Sequence, residues 1–166
     1  MRKLVFASVL LALICVSASG QKPYSFKVSD IKAKLFYDLA GTFSPEDVIN
    51  DKNFTLFNTV IGEGSAAGMS ETTLVLVEVT YGGLDDRNGA QLVFEAKGYK
   101  DKLLLRKSLF VSYVDKAAGL KKYVPFILHE TGCAEIKLTA SLFKDDKPKS
   151  PLLSKMTKTI PFVCGE

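Results

Sequence analysis

The sequence predicts an all-β fold, a two-sheet antiparallel sandwich, with a closed antiparallel β-barrel as the alternative. Two observations carry that expectation. Short runs rich in Val, Ile, Leu, Phe, Thr and Tyr recur along the chain, and clusters of Gly, Pro, Asn and Asp punctuate them. That is the pattern of strands and turns. Almost no stretch carries the apolar spacing of an amphipathic helix.

The first element is not a strand. Basic Arg2 and Lys3, an apolar run over residues 4–16 and the small residues Ser17, Ala18, Ser19 and Gly20 form the three parts of a secretory signal peptide over residues 1–20. Cleavage after Gly20, or after Ala18, satisfies the preference for small residues. The apolar run is about thirteen residues, short of the roughly 20 that cross a bilayer as a helix. Cys15 follows bulky Ile14, which argues against a lipid-attachment site. Residues 21–166 then form one expected domain of about 146 residues, exported to the medium or, in a bacterium, to the periplasm.

Eight or nine strands are expected. The first covers residues 25–28. The second, 31–37, alternates Ile31, Ala33, Leu35 and Tyr37 on one face with Lys32 and Lys34 on the other. Ser44, Pro45, Glu46 and Asp47 then read as a short helix start, with Ser44 as N-cap and Pro45 at the first helical position. Strands follow at 54–61 and at 72–81. The latter is apolar at both parities and expected to be central. Residues 91–97, 102–114 and 122–128 follow, the middle one long enough for a bend. Ala134, Ile136, Leu138, Ala140 and Leu142 face inward in the next, opposite Glu135, Lys137, Thr139 and Ser141. The last strand, 154–163, contains Pro161, which favours an edge or bulge.

Loss of Cys15 with the signal leaves Cys133 and Cys164, an even pair in an oxidising compartment. A disulfide is expected, worth roughly 3 to 4 kcal/mol for a loop of about 30 residues. A hairpin setting Cys133 opposite Cys164 centres between Pro148 and Lys149, inside the turn. That register places Ile136 against Pro161 and breaks the inward face, so a bulge near Pro161 or a link between sheets is required. The architecture is similar to immunoglobulin-like sandwiches in the broad sense only, since the chain has no Trp and its cysteines lie at the C-terminal end.

Without the signal the chain holds 20 basic and 18 acidic side chains, a balance unlike that of a nucleic-acid binder. The charge is uneven: residues 21–96 carry an excess of five acids, and 97–158 an excess of eight bases. Such asymmetry makes a basic face for anionic glycans or lipid headgroups if it survives folding. Interleaving of strands from both halves predicts a mixed surface instead. Lys144, Lys147, Lys149, Lys155 and Lys158 around the last turn, with Lys121 and Lys122, read as solvated edges.

Residues that carry chemistry are scarce. His129 is the only histidine; paired with Cys133 it suggests a nucleophile, but an exported Cys is normally oxidised and no orienting Asn or Asp is assignable. Gly62, Gly64 and Gly68 in IGEGSAAGMS lack the following helix of a phosphate-binding loop. Asp85, Asp86 and Asn88, and Asp145 and Asp146, are explained by turn propensity and do not match EF-hand spacing. Asn53, Phe54 and Thr55 form a glycosylation sequon, relevant in a eukaryotic secretory pathway. No catalytic, cofactor or metal site is assigned. The chain reads as a non-enzymatic binding or structural module whose loop residues Gly62, Glu63, Gly64, Ser65 and Gly68 contact a protein or glycan. The alternative is a small-molecule carrier with an apolar cavity.

Overall fold

A computed structural model describes residues 25–82, 89–112 and 120–165. Residues 1–20, with Cys15, and the predicted turn residues Asp85, Asp86 and Asn88 lie outside the described residues.

Eight strands form two antiparallel sheets. The strands are β1 (Ser25–Tyr37), β2 (Thr42–Phe43), β3 (Thr72–Gly82), β4 (Gly89–Lys97), β5 (Leu103–Ser112), β6 (Lys121–Leu128), β7 (Ile136–Phe143) and β8 (Leu152–Ile160). One sheet has the order β2-β1-β3-β6, the other β5-β4-β7-β8. The sandwich thus holds in place of the closed barrel. As expected, β3 is central, paired along its length with β1 and β6. The inner faces meet directly: Phe94 of β4 stacks on Phe126 of β6 with ring centroids 4.2 Å apart. Val75, Val77, Leu92, Leu138 and Leu142 are fully buried around that pair.

Several elements differ from expectation. The two N-terminal strands are one, β1, with a bulge at Ser29 where the register shifts between Val28 and Asp30. The extra residue changes which parity faces the core, so Phe26 and Val28 are buried before it and Ile31, Ala33, Leu35 and Tyr37 after it. The predicted helix at Ser44 is a turn. Ser44 and Asp47 instead satisfy the outer edge of β1: Leu35 N–H donates to Ser44 Oγ at 3.1 Å and Ala33 N–H to Asp47 Oδ1 at 3.1 Å. The predicted strand 54–61 is a loop ending in a short 3-10 turn, Thr59–Ile61. Asn58, at φ 43°, leaves the extended region and breaks the strand. Ala134 is exposed, and β7 begins at Ile136.

The β7–β8 register resolves the cystine conflict. Ile136 pairs with Ile160, one residue away from the strict cystine-centred hairpin. The strand stops before Pro161, and Phe162 N–H turns back to Ile160 O at 3.0 Å. The irregularity at Pro161 absorbs the odd residue. Ile160 and Phe162 both stay buried.

Charge does not mix as interleaving predicts. β4, β5, β7 and β8 build their sheet as two hairpins, and β6 is the one strand from after residue 88 that joins the other sheet. Residues 89–112 and 136–160 hold eleven basic and four acidic side chains, whereas 25–82 together with 121–128 hold six and eight. The asymmetry along the sequence becomes an asymmetry between sheets.

Candidate functional site

The antiparallel pairings bring the 38–71 connection, the 129–135 loop and the C-terminal residues 161–165 to one end of the sandwich. The Lys-rich 144–151 turn lies at the other. The first end is braced by the Cys133–Cys164 disulfide, with Cα atoms 4.7 Å apart.

Around the cystine the loops bond to one another instead of hanging free. Asn58 N–H donates to Val163 O and Val163 N–H to Leu56 O, each at 2.9 Å, adding the chain terminus to the loop as a short parallel bridge. Thr131 N–H reaches Glu71 O at 2.9 Å, and the Thr73 and Thr131 hydroxyls meet at 2.8 Å in a buried pair. Gly132 packs so tightly on the 3-10 turn that a Cβ there would lie 2.7 Å from Thr59 Oγ1; its φ of +113° also demands glycine.

The predicted interaction loop belongs to this end and is held in a defined shape. Ser65 N–H donates to Thr55 O at 2.9 Å, and Thr55 N–H returns to Ser65 Oγ at 2.9 Å. Gly64, at φ +71°, lies against the Thr55 and Phe57 backbone, where a side chain would collide. Glu63 accepts from Asn58 Nδ2 at 2.7 Å. Gly62 lies against the Gly68 and Met69 backbone, and Gly68 faces the Tyr37 ring. Asp38 N–H donates to Met69 O at 3.0 Å, so the segments bearing Leu39, Ile61 and Met69 are neighbours.

These three side chains are what the sequence reading missed. Leu39 is 87 % exposed, Ile61 61 % and Met69 42 %, with Phe57 and Val163 also open on the same end. They are large apolar residues held outward on hydrogen-bonded loops. Ile61 and Met69 flank the Gly-rich segment that its composition marks as an interaction loop, whereas Leu39 lies in the turn after β1 and carries no such mark.

Other predicted positions are placed as follows. His129 is exposed at the end of β6, its Nδ1 3.4 Å from Thr72 Oγ1; Cys133 is disulfide-bonded and offers no thiol to it. Asn53 sits in an exposed turn, its N–H donating to Asp51 Oδ1 at 2.9 Å. Asp145 closes its own turn by accepting from Lys147 N–H at 3.1 Å; bonds from Ser150 and then Lys147 hold its carboxyl below the ordinary range. Among the described residues, no group of three His, Cys, Asp or Glu side chains is placed to hold a metal ion. No helix among them is long and apolar enough to cross a membrane.

One buried carboxylate went unnoticed in the sequence. Glu78, on the outer face of β3, is 3 % exposed. Ser29 Oγ donates to Oε1 and Tyr123 OH to Oε2, both at 2.8 Å, and Lys121 Nζ lies 2.9 Å from Oε1. Desolvation pushes its pKa up, but the bonds from Lys121, Ser29 and Tyr123 and the Lys121 charge outweigh it, and the carboxyl falls to about 2.

No protein-family model matches the chain, and none of the curated proteins compared with it does. Among solved structures, the chain is similar to part of the Bifidobacterium dentium β-glucuronidase complexed with coumarin-3-O-glucuronide. The similarity has 12 % identity and a TM-score of 0.46, over 84 % of this chain and 19 % of that one. The chain thus spans about a fifth of that protein's length.

Proposed function

We propose that the mature chain is an exported, non-enzymatic binding module that engages a protein partner through the cystine-braced end of the sandwich. The carrying observation is the outward display of Leu39, Ile61 and Met69 on adjacent loops that are hydrogen-bonded in place. Anchored loops lose little conformational freedom on docking, and apolar side chains already in water gain from being covered. The signal-like residues 1–20 and the cystine both suit an oxidising exterior compartment.

The test uses the native medium or envelope. Immobilised wild-type protein captures its partner, which is identified, purified and titrated against wild type and L39S/I61S/M69S. The reading expects the triple variant, with unchanged melting temperature, to bind at least about tenfold more weakly. Equal affinity of the two proteins for that partner would overturn it.

A further inference from the structure

The two hairpins that segregate charge also build a face with recessed features. The outward side chains of the second sheet follow from its register: Glu95, Thr139 and Thr157 stand in one row across β4, β7 and β8, with Arg106 of β5 beside Glu95. Lys97 and Lys137 flank that row on one side and Lys155 on the other. Between them lies a groove of about 200 Å³, lined by Lys97, Lys137, Lys155, Thr139 and Thr157, with Glu95 and Asp101 at its wall. Arg106 pairs with Glu95 at 3.4 Å, leaving the groove with an excess of positive charge. A second groove of about 230 Å³ continues along the same face toward the 144–151 turn, where Phe143 and Ser108 contribute and Lys147 and Lys149 are balanced by Asp145 and Asp146.

We propose that this face binds a linear anionic polysaccharide, laid along the two grooves. Its negative groups face the lysines, while its hydroxyls donate to the Glu95 and Asp101 carboxylates and share hydrogen bonds with Thr139 and Thr157. The mixture of cation, hydroxyl and carboxylate decides the class. A nucleic-acid backbone, charged at every residue, meets Glu95, Asp101, Asp145 and Asp146 as repulsion. A lipid surface cannot enter recessed grooves, and the first groove offers no apolar side chain to insert. The first groove opens beside the cystine-braced end but shares no residue with the Leu39, Ile61 and Met69 surface, so separate variants test it independently of the function proposed above.

Hyaluronan, which carries one carboxylate per disaccharide and neutral sugars between, is the probe, titrated calorimetrically at low salt against the full mature protein. Wild type should bind with an affinity that falls as salt rises. K97S/K137S/K155S should lose roughly tenfold or more. K97R/K137R/K155R, which keeps the charge and guards against a folding defect, should remain within about threefold of wild type. K27S/K52S on the other part of the molecule, and L39S/I61S/M69S, should bind as wild type does. Absence of wild-type binding, equal binding by the serine triple, or equal binding to neutral dextran would overturn the proposal. So would tighter binding to phosphatidylglycerol vesicles or single-stranded DNA at the same ionic strength.

Discussion

Glu78 is held by Ser29, Tyr123 and Lys121, with Lys32 Nζ 3.8 Å from Oε2, on a strand otherwise devoted to burying apolar groups. Its bond from Ser29 ties the β1 bulge to β3, and its bond from Tyr123 ties β6 to the same point. E78Q removes the charge that these donors serve, and should cost about 1–2 kcal/mol in urea unfolding at neutral pH. The pH dependence follows from a folded-state pKa of about 2 against an unfolded value of 4.5. The contribution is complete above about pH 4.5 and is lost as pH falls toward 2. The gap between wild type and E78Q should therefore close on acidification, and a gap independent of pH would contradict this account. A second pair works across the sheets: Lys158 Nζ lies 2.5 Å from Asp30 Oδ1 and 2.7 Å from Asn50 Oδ1. K158M strands a partly buried carboxylate and should destabilise by about 1–3 kcal/mol in the same assay.

At the scale of elements, the pairing of sheets rests on side chains such as Phe94, which meets Phe126 across the interface. Phe94→Ala leaves a cavity and should cost about 3–5 kcal/mol by denaturant titration. C133S/C164S should cost about 3 kcal/mol and loosen residues 54–65, 129–135 and 161–165 more than β3 or β4. Uniform loss of hydrogen-exchange protection would contradict a local brace. Strands with strict alternation, such as Ile136 to Leu142, were legible because period two has one physical cause, burial of one face. The 54–61 segment was not legible. Its apolar residues Phe54 and Leu56 pack as a loop under backbone bonds from Val163 and Ser70, partners more than ten residues distant that no local pattern reveals. The β1 bulge was visible only as a change of parity between Val28 and Ile31, and read as two strands. Ser44 and Asp47 have helix-cap chemistry, but the donors they satisfy belong to a strand edge.

For the whole molecule, two hairpins make one sheet, and this topology turns an uneven sequence into a two-faced protein. The candidate tip was half legible. The loop of Gly62, Glu63, Gly64, Ser65 and Gly68 was marked by its composition, but the exposure of Leu39 and Met69 beside it depends on a long connection folding back. The cystine was legible from the even count of cysteines beyond residue 20. The central claim is that the braced end is an ordered platform, and native-state hydrogen exchange of the oxidised and reduced protein tests it most directly. The account predicts slow exchange at Asp38, Asn58, Ser65, Ser70 and Val163 in the oxidised protein. On reduction, Asn58 and Val163 should lose protection first while β3 and β4 keep theirs. Exchange at the five amides as fast as in an unstructured peptide, with the disulfide intact, would contradict it.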